Sequence, residues 1–215
     1  MFIPRHPVVE NQFCSYAAQT TDDTGVGGVI CYAGSVLKLV STATNQEAIV
    51  SKIVSGDTDA PSDPFGFAMQ KVKTGYHNVH PAGFMMPGDL GSSDVIAQPS
   101  YTSGAINGTK EAPLGVAHHG IWDTVHYTAA GTGPTGANDI VPSAAITPGS
   151  LLYAANDQAK VTNTNTLAAN AADLTTGECV NQTAVAKVVK GVSIAKATAN
   201  IANTTLYPIR IKLLI

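Results

Sequence analysis

The stretch PGSLL, residues 148–152, and the later stretch VVKGVSIAKA, residues 188–197, together predict one β unit. Proline presets φ at the first corner of a turn and glycine accepts a positive φ at the next, so Pro-Gly-Ser is a suitable start for a strand. The apolar run around Gly191 predicts a second strand that closes the unit. A glycine inside such a run indicates a β-bulge or the close approach of another backbone.

Two earlier parts of the chain repeat this order with looser matches. The copies are AGSVLKLV (33–40) answered by PFGFAMQKV (64–72), and PGDLGSSDVI (87–96) answered by PLGVAHHGIW (113–122). Each contains a turn, a strand, a variable insert and a closing strand with a central glycine, at Gly66 and Gly115. The repeat predicts a mainly β chain.

Alternating apolar and polar residues support this prediction. Leu37 and Leu39 would share one face with Lys38 between them, and the final run YPIRIKLLI (207–215) alternates in the same way. Strands are predicted near residues 36–40, 48–54, 65–72, 114–118, 150–154, 187–195 and 207–214. At most one short helix is predicted, between residues 166 and 174, where Thr166 would cap LAANAADL.

The chain divides into four parts by composition, although all of them could form one domain. They are an extended arm (1–20), a β-rich part with two repeat-like units (21–130), a Gly/Pro-rich connection (131–148) and a third β unit with a terminal strand (149–215). The arm has prolines and no regular period. Its apolar side chains therefore need a packing surface, either in the body of the same chain or in a neighbouring subunit. The predicted interface residues are Phe2, Ile3, Pro4, Val8, Val9, Phe13, Trp122 and Tyr127; the last two could equally be core anchors.

Charge and cysteine content limit which binding partners and which cellular compartment are expected. Charged residues make up 13% of the chain, the formal net charge is −3, and the two arginines are Arg5 and Arg210. A phosphate backbone requires concentrated positive charge, so nucleic acid is not expected as a partner. Three cysteines without a CxxC pair predict free, mostly buried thiols in a reducing compartment. No apolar stretch is long enough for a secretion signal or a bilayer span, so no membrane partner is expected.

Known catalytic patterns are missing from the sequence. No GxSxG, HExxH, Cys/His or paired-carboxylate arrangement is present, so we expect no catalytic residues, no cofactor and no enzyme activity. Five histidines invite a metal interpretation, but their Gly- and Pro-rich surroundings favour surface or interface histidines; these are His77, His80, His118, His119 and His126. Three aspartates in residues 56–64 resemble a calcium loop, but without its glycine and glutamate a solvated loop is favoured.

The repeated order of an [AP]-G-[SD]-[VL]-L turn and strand, followed by a G-[VF]-[AS] strand, resembles the head decoration or capsid cement proteins of tailed bacteriophages. The resemblance covers residues 33–197 and is best in the third copy, and the chain departs from it with extra loops at 56–64 and 131–148. It implies β-sandwich or β-tulip/barrel-like antiparallel sheets with long loops.

Membership of that family would also imply a function. The chain would be made in the host cytoplasm and would sit as a homotrimer on the outer surface of the capsid, where it clamps neighbouring copies of the major capsid protein. Two other classes stay open. One is a phage tail or fibre component that recognises a host receptor. The other is a carbohydrate-binding or hydrolytic β domain, which is disfavoured because it would need an exposed row of aromatic side chains and only 6% of the residues are aromatic.

Overall fold

The computed structural model of the protein describes residues 2–5, 11–16, 29–40, 48–53, 63–74, 95–102, 105–110, 112–129, 131–132, 141–155, 158–167 and 178–215. These residues form seventeen short strands and one short helix, which confirms the predicted mainly β class. No helix in these ranges has the length and apolar content needed to cross a bilayer.

The elements follow one another along the chain without long regular segments. The first nine strands are β1 (Phe2–Pro4), β2 (Asn11–Tyr16), β3 (Val29–Cys31), β4 (Val36–Leu39), β5 (Ile49–Lys52), β6 (Pro64–Ala68), β7 (Val72–Thr74), β8 (Val95–Thr102) and β9 (Ala105–Lys110). The remaining elements are β10 (Ala112–Ala117), β11 (Ile121–Thr124), β12 (Gly131–Thr132), β13 (Val141–Pro142), β14 (Leu151–Ala154), β15 (Val161–Thr162), β16 (Ala186–Lys190), α1 (Ile194–Ile201) and β17 (Ile209–Leu213).

Five strands close a small barrel in the order β10-β2-β5-β4-β6. Its neighbouring pairs are antiparallel except β2 and β5, which run parallel. A four-stranded sheet has the order β3-β7-β8-β9, and β12 pairs with β13. Side chains from β3 and β7 share an apolar cluster with barrel side chains such as Leu37 and Leu114, so this sheet packs against the barrel.

The largest sheet has six strands in the order β1-β11-β17-β16-β14-β15. Strand β17 lies inside it, between β11 and β16. Its apolar residues Ile209, Ile211 and Leu213 are buried, whereas Arg210 and Lys212 project from the opposite face. The alternation predicted for residues 207–214 is therefore confirmed.

The main core lies between the barrel and the six-stranded sheet. Val36 and Phe67 from the barrel belong to one buried cluster with Trp122 and Ile211 from the sheet. Each large side chain buried in this way contributes about 1.5–3 kcal/mol to folding. The barrel and the sheet are therefore held together by a continuous apolar layer.

The first copy of the repeat begins with the predicted turn. Gly34 has φ +96°, as the Ala-Gly-Ser turn requires. The Ser35 amide donates to the Tyr32 carbonyl at 3.0 Å, and the Gly34 amide donates to the Ala68 carbonyl at 2.8 Å. The opening strand β4 pairs antiparallel with the closing strand β6.

The third copy repeats these bonds at its own turn. Gly149 has φ +91°. The Ser150 amide donates to the Thr147 carbonyl at 3.2 Å, and the Gly149 amide donates to the Val188 carbonyl at 2.8 Å. Strand β14 pairs antiparallel with β16, as β4 does with β6. The predicted turn and the antiparallel pairing of opening and closing strands are thus confirmed for two of the three copies.

The closing strand of the third copy ends earlier than predicted. Strand β16 stops at Lys190, and helix α1 begins at Ile194 where the prediction continued the strand to residue 195. The reason is visible at Gly191, where a Cβ atom would collide with the backbone oxygen of Ile146. The predicted close approach of another backbone is confirmed, but it ends the strand. The helix predicted at 166–174 falls mostly outside the described residues.

The second copy does not form the predicted unit. Most of its opening stretch, 87–94, lies outside the described residues, and β8 begins at Val95. Strand β8 pairs with β7 and β9, whereas the expected closing strand β10 pairs with β2 and β6. The resemblance of residues 113–122 to the other copies therefore does not extend to their pairing.

The predicted alternation of residues 37–39 differs from the burial in the structure. Lys38 is only 2% exposed and Leu39 is 37% exposed, the reverse of the expectation from their alternation. The alternation of β4 itself is kept, because Leu37, Lys38 and Leu39 pair in regular register with β5. Both faces of β4 are covered, since Val36 belongs to one apolar cluster and Leu37 to the other.

Replacing Gly191 with alanine is expected to lower the free energy of unfolding by about 2 kcal/mol, because the new methyl group meets backbone that cannot rotate away. Gly115→Ala is the matched control, since the atoms nearest to its Cβ would be side-chain atoms, Met69 Sδ at 3.1 Å and Gln70 Oε1 at 3.2 Å. Urea denaturation measures both. Equal losses for the two variants would contradict the assignment of close backbone approach to Gly191.

Candidate functional site

A stack of three aromatic rings joins the barrel to the six-stranded sheet. The Phe2 ring lies 4.4 Å from the Trp122 ring with an interplanar angle of 8°, and 5.8 Å from the Phe67 ring with an angle of 12°. The Trp122 Nε1 donates to the His119 carbonyl at 3.1 Å, which satisfies its polar atom. Phe2 is therefore a wedge between the two layers, inside its own chain.

This position decides between the two packing partners predicted for the arm, its own chain and a neighbour. Strand β1 pairs antiparallel with β11, and β2 is a strand of the barrel, so the described parts of residues 1–20 belong to the body of their own chain. Trp122 and Tyr127 are each 1% exposed and lie in the core, so they are core anchors and not interface residues. The polar end of Tyr127 donates to the Tyr207 carbonyl at 2.7 Å.

The other predicted interface residues have different positions. Ile3 is 37% exposed and Pro4 is exposed, so both remain accessible. Phe13 lies in β2 opposite Gly115. Val8 and Val9 lie outside the described residues.

A buried carboxylate gathers both arginines of the chain. The Arg5 Nε lies 2.6 Å from Asp123 Oδ2, and the Arg210 Nε lies 2.8 Å from Asp123 Oδ1. The Asp123 side chain is 8% exposed, against 43% for Arg5 and 37% for Arg210. The hydrogen bond from Arg210, followed by that from Arg5, holds the pKa of the Asp123 carboxyl below its ordinary value against the effect of burial. The cluster ties β1 and β17 to β11.

Asp123→Asn is expected to reduce the free energy of unfolding by about 2 kcal/mol, because it leaves two neighbouring guanidinium groups without their shared counter-ion. Thermal unfolding at neutral pH measures the loss. Arg5→Gln is the milder comparison, since Arg210 keeps its contact with Asp123. Because the Asp123 pKa is lowered in the folded state, the stabilisation is present above the ordinary aspartate pKa and is lost as the pH falls below it. A wild-type advantage over Asp123→Asn that stays constant into strong acid would contradict this assignment.

A serine and a histidine form a second buried polar cluster. The Ser35 Oγ lies 3.0 Å from His126 Nε2, and both atoms contact the Gln158 carbonyl, at 3.0 and 3.1 Å. Burial lowers the pKa of His126 to about 3, and the hydrogen bond with Gln158 opposes this only in part. The imidazole is therefore neutral at pH 7.

The hydrogen bonds of this pair differ from those of a nucleophile and its base. A carbonyl oxygen only accepts, so His126 Nε2 carries the proton that it shares with Gln158 and has no lone pair for Ser35. Ser35 is fully buried and accepts the Tyr32 amide at 3.3 Å. The cluster is a structural connection between the first repeat turn and the loop that precedes β15.

Backbone strain accompanies this connection. Gln158 has φ +52° and Ala159 has φ +53°, a conformation that costs a non-glycine residue about 1–2 kcal/mol. The Ala159 carbonyl accepts the Val36 amide at 2.8 Å, beside the bonds that the Gln158 carbonyl makes. The turn is therefore held in an unfavourable conformation by its bonds to the barrel.

A groove of about 580 Å³ opens over this cluster. It lies between the barrel, β1 and the C-terminal end of α1, and its lining includes Ile3, Tyr32, Met69, Lys71, Lys160 and Leu206. Tyr32 is 40% exposed and stacks on the His126 ring at 5.2 Å, and Leu206 is 59% exposed. The groove is lined by apolar and polar side chains together, and two lysines are among them.

The outer face of the six-stranded sheet carries two cross-strand rows. In the first, Leu151 lies opposite Lys187, Lys187 opposite Lys212, and Lys212 opposite Ile121. We call these four residues the lysine row. Its two lysines are exposed and face the same side of the sheet.

The second row lies two residues away along β11 and β17. Lys190 is opposite Arg210, Arg210 is opposite Asp123, and Asp123 is opposite Ile3. We call these four residues the arginine row. The lysine row has two cations in the middle and an aliphatic side chain at each end, whereas the arginine row has Lys190 at one end, Arg210 and Asp123 in the middle and Ile3 at the other end.

The histidine and cysteine expectations have separate outcomes. His118 is half-buried with its ring against Phe65 at 4.8 Å, His119 is exposed, and His77 and His80 lie outside the described residues. No group of three potential metal ligands occurs in the part of the chain that the structure describes. The three cysteines are buried and free, as predicted.

No protein-family model, curated protein or solved structure matches this chain. Sequence reasoning named His126 within a histidine cluster but did not single out Ser35, Asp123 or Gln158. The scarcity of arginine is the one available signal for Asp123, because both arginines contact the same carboxylate.

Proposed function

We propose that the chain is a virion structural protein that decorates the outer surface of a tailed-phage capsid and cements contacts between major capsid subunits. The observation that supports this best is the pair of equivalent repeats. The first and third copies make the same turn, with a glycine at positive φ, and the same bond from that glycine to the closing strand. The turn and the opening strand of the order on which the family resemblance rests are therefore a repeated structure in two copies, whereas the closing Gly-containing motif lies in a strand only in the first.

The construction of the subunit suits this role. Phe2 is wedged between the barrel and the sheet, and Arg5 and Arg210 join the N-terminal and C-terminal segments to the same carboxylate. A cement subunit acts by keeping its shape while many copies bind a lattice, so weak single contacts add up through avidity. A body tied together by its own terminal segments resists distortion at such contacts.

We also propose that the subunit acts as a homotrimer, since closed threefold symmetry would present three equal contacts to the shell. Residues 2–4 are paired within their own chain, so the trimer contact is expected to use other surfaces. Mass measurement in solution tests this part. A monomer at capsid-binding concentration would contradict it.

Imaging of purified virions that carry the chain tests the function itself. We expect density for the protein at regular positions on the outside of the head, and rebinding of purified protein to heads that lack it. Heads with bound protein should resist heat better than heads without it. Density confined to the tail would overturn the cement role in favour of the tail or fibre component.

A further inference from the structure

The lysine row holds two like charges directly opposite each other. Lys187 and Lys212 are paired across β16 and β17, where side chains of directly opposed residues lie about 4.5–5.5 Å apart at Cβ. Neither lysine makes an ion pair with another residue of the described ranges. Opposed like charges destabilise a sheet, so the free subunit carries an unfavourable arrangement at an exposed position.

The neighbouring row shows how the sheet neutralises such a pair elsewhere. Lys190 and Arg210 are also opposed, but Arg210 binds Asp123 at 2.8 Å. The lysine row has Ile121 at the position that corresponds to Asp123. The lysine row therefore contains no carboxylate that could neutralise Lys187 and Lys212.

We propose that the lysine row is a docking surface for an acidic patch on a partner protein, in which carboxylates are flanked by apolar side chains. The inference deepens the proposed function, because a capsid shell subunit would be that partner. The match is one of charge and pattern: two exposed ammonium groups lie in the centre, and the aliphatic side chains of Leu151 and Ile121 lie at the ends. Leu151 is 42% exposed, so it is available for apolar contact.

The size and surroundings of the surface favour a protein over a polyanion. Four adjacent strands span about 14 Å across the row, and the arginine row adds a second line of contacts about 7 Å away. This is enough for the centre of a protein contact. A phosphate backbone has no apolar side chains to pack against Leu151 and Ile121, whereas a protein surface does. The two rows and the adjacent Arg5 hold five cations and one carboxylate, although the chain has a net charge of −3, so this part of the sheet has a local excess of positive charge.

The test compares Lys187→Glu with Lys196→Glu, an equal charge change at an exposed lysine of α1 outside both rows. In heads lacking the chain, we expect Lys187→Glu to weaken rebinding about tenfold or more at about 50 mM salt, and Lys196→Glu to change it less than about twofold. In the free protein, Lys187→Glu should raise the denaturation midpoint, because it creates a favourable pair with Lys212. A surface with only a structural role would not give these opposite effects on binding and stability.

Three further probes separate the possible failures. Retention on immobilised poly-L-glutamate should be lost in Lys187→Glu and kept in Lys196→Glu, whether or not heads bind. If wild-type protein binds heads and Lys187→Glu binds equally well, the docking surface is refuted while the proposed function stands. If wild-type protein ignores heads, the proposed function fails, and the poly-L-glutamate result alone then decides the inference. Tighter binding to duplex DNA or to phosphatidylserine vesicles than to poly-L-glutamate would overturn a protein partner.

Discussion

Phe2→Ala is expected to lower the free energy of unfolding by about 3 kcal/mol, the lower end of the range for a buried phenylalanine. The Phe2 ring is 8% exposed and lies between the Trp122 and Phe67 rings. Removing it leaves a cavity between the barrel and the sheet and also removes two aromatic contacts. Equilibrium urea unfolding, followed by Trp122 fluorescence and by circular dichroism, measures the loss.

Ile3→Ala is the matched control for this variant. Ile3 is the next residue of the same strand, keeps the same backbone pairing and is 37% exposed, so its truncation should cost less than about 1 kcal/mol. Similar losses for both variants would show that the strand matters and the wedge does not. A Phe2→Ala protein as stable as wild type would refute the placement of Phe2 in the core.

Acid is expected to destabilise the wild-type protein through His126 by about 3 kcal/mol between about pH 7 and about pH 4.5. Burial lowers the pKa of His126 to about 3 in the folded state, whereas an unfolded chain has the ordinary value of 6.5. Below about pH 6.5, His126 binds a proton in the unfolded chain but stays unprotonated in the folded chain. Stability that is present above the unfolded pKa is therefore lost as the pH falls toward the folded pKa.

His126→Gln tests this expectation because glutamine does not titrate and can still donate a hydrogen bond to Gln158. The variant should be less stable than wild type at pH 7, but the His126 part of its acid sensitivity should disappear. His119→Gln, at an exposed histidine, should keep the wild-type pH dependence. Parallel pH curves for wild type and His126→Gln would contradict a neutral buried imidazole.

Local turn chemistry made part of the fold predictable. The turns at Gly34 and Gly149 need a positive φ that glycine supplies, and this need is visible in the residues themselves. The alternation in residues 207–214 also identifies its own buried face, because β17 has one apolar and one polar side. Such signals depend only on near neighbours in sequence.

Features that depend on distant residues were not predictable in this way. The end of β16 at Lys190 depends on the backbone of Ile146, and the burial of Lys38 depends on the apolar clusters that cover both faces of β4. The Phe2 ring packs against Trp122, which is more than a hundred residues away in sequence. The first required the approach of a backbone segment distant in sequence, and the other two required the packing of the layers of the fold against one another.

The candidate sites were hidden for the same reason. Ser35, His126 and Gln158 meet from three separate segments, and their roles follow from one shared carbonyl. The cations of the lysine row come from β16 and β17, so no basic run marks them in the sequence. A low overall charge concealed a face that is locally positive.

The position of β17 determines the order in which the protein is able to fold during synthesis. The strand made latest among the described elements separates β1 and β11 on one side from β16, β14 and β15 on the other. The six-stranded sheet therefore lacks its connection until residues 209–213 have emerged from the ribosome. Long-range pairing of this kind folds slowly, and the waiting strands expose unpaired edges. During translation, β11 and β16 are therefore expected to need protection from aggregation until β17, the strand that pairs with both, has been synthesised.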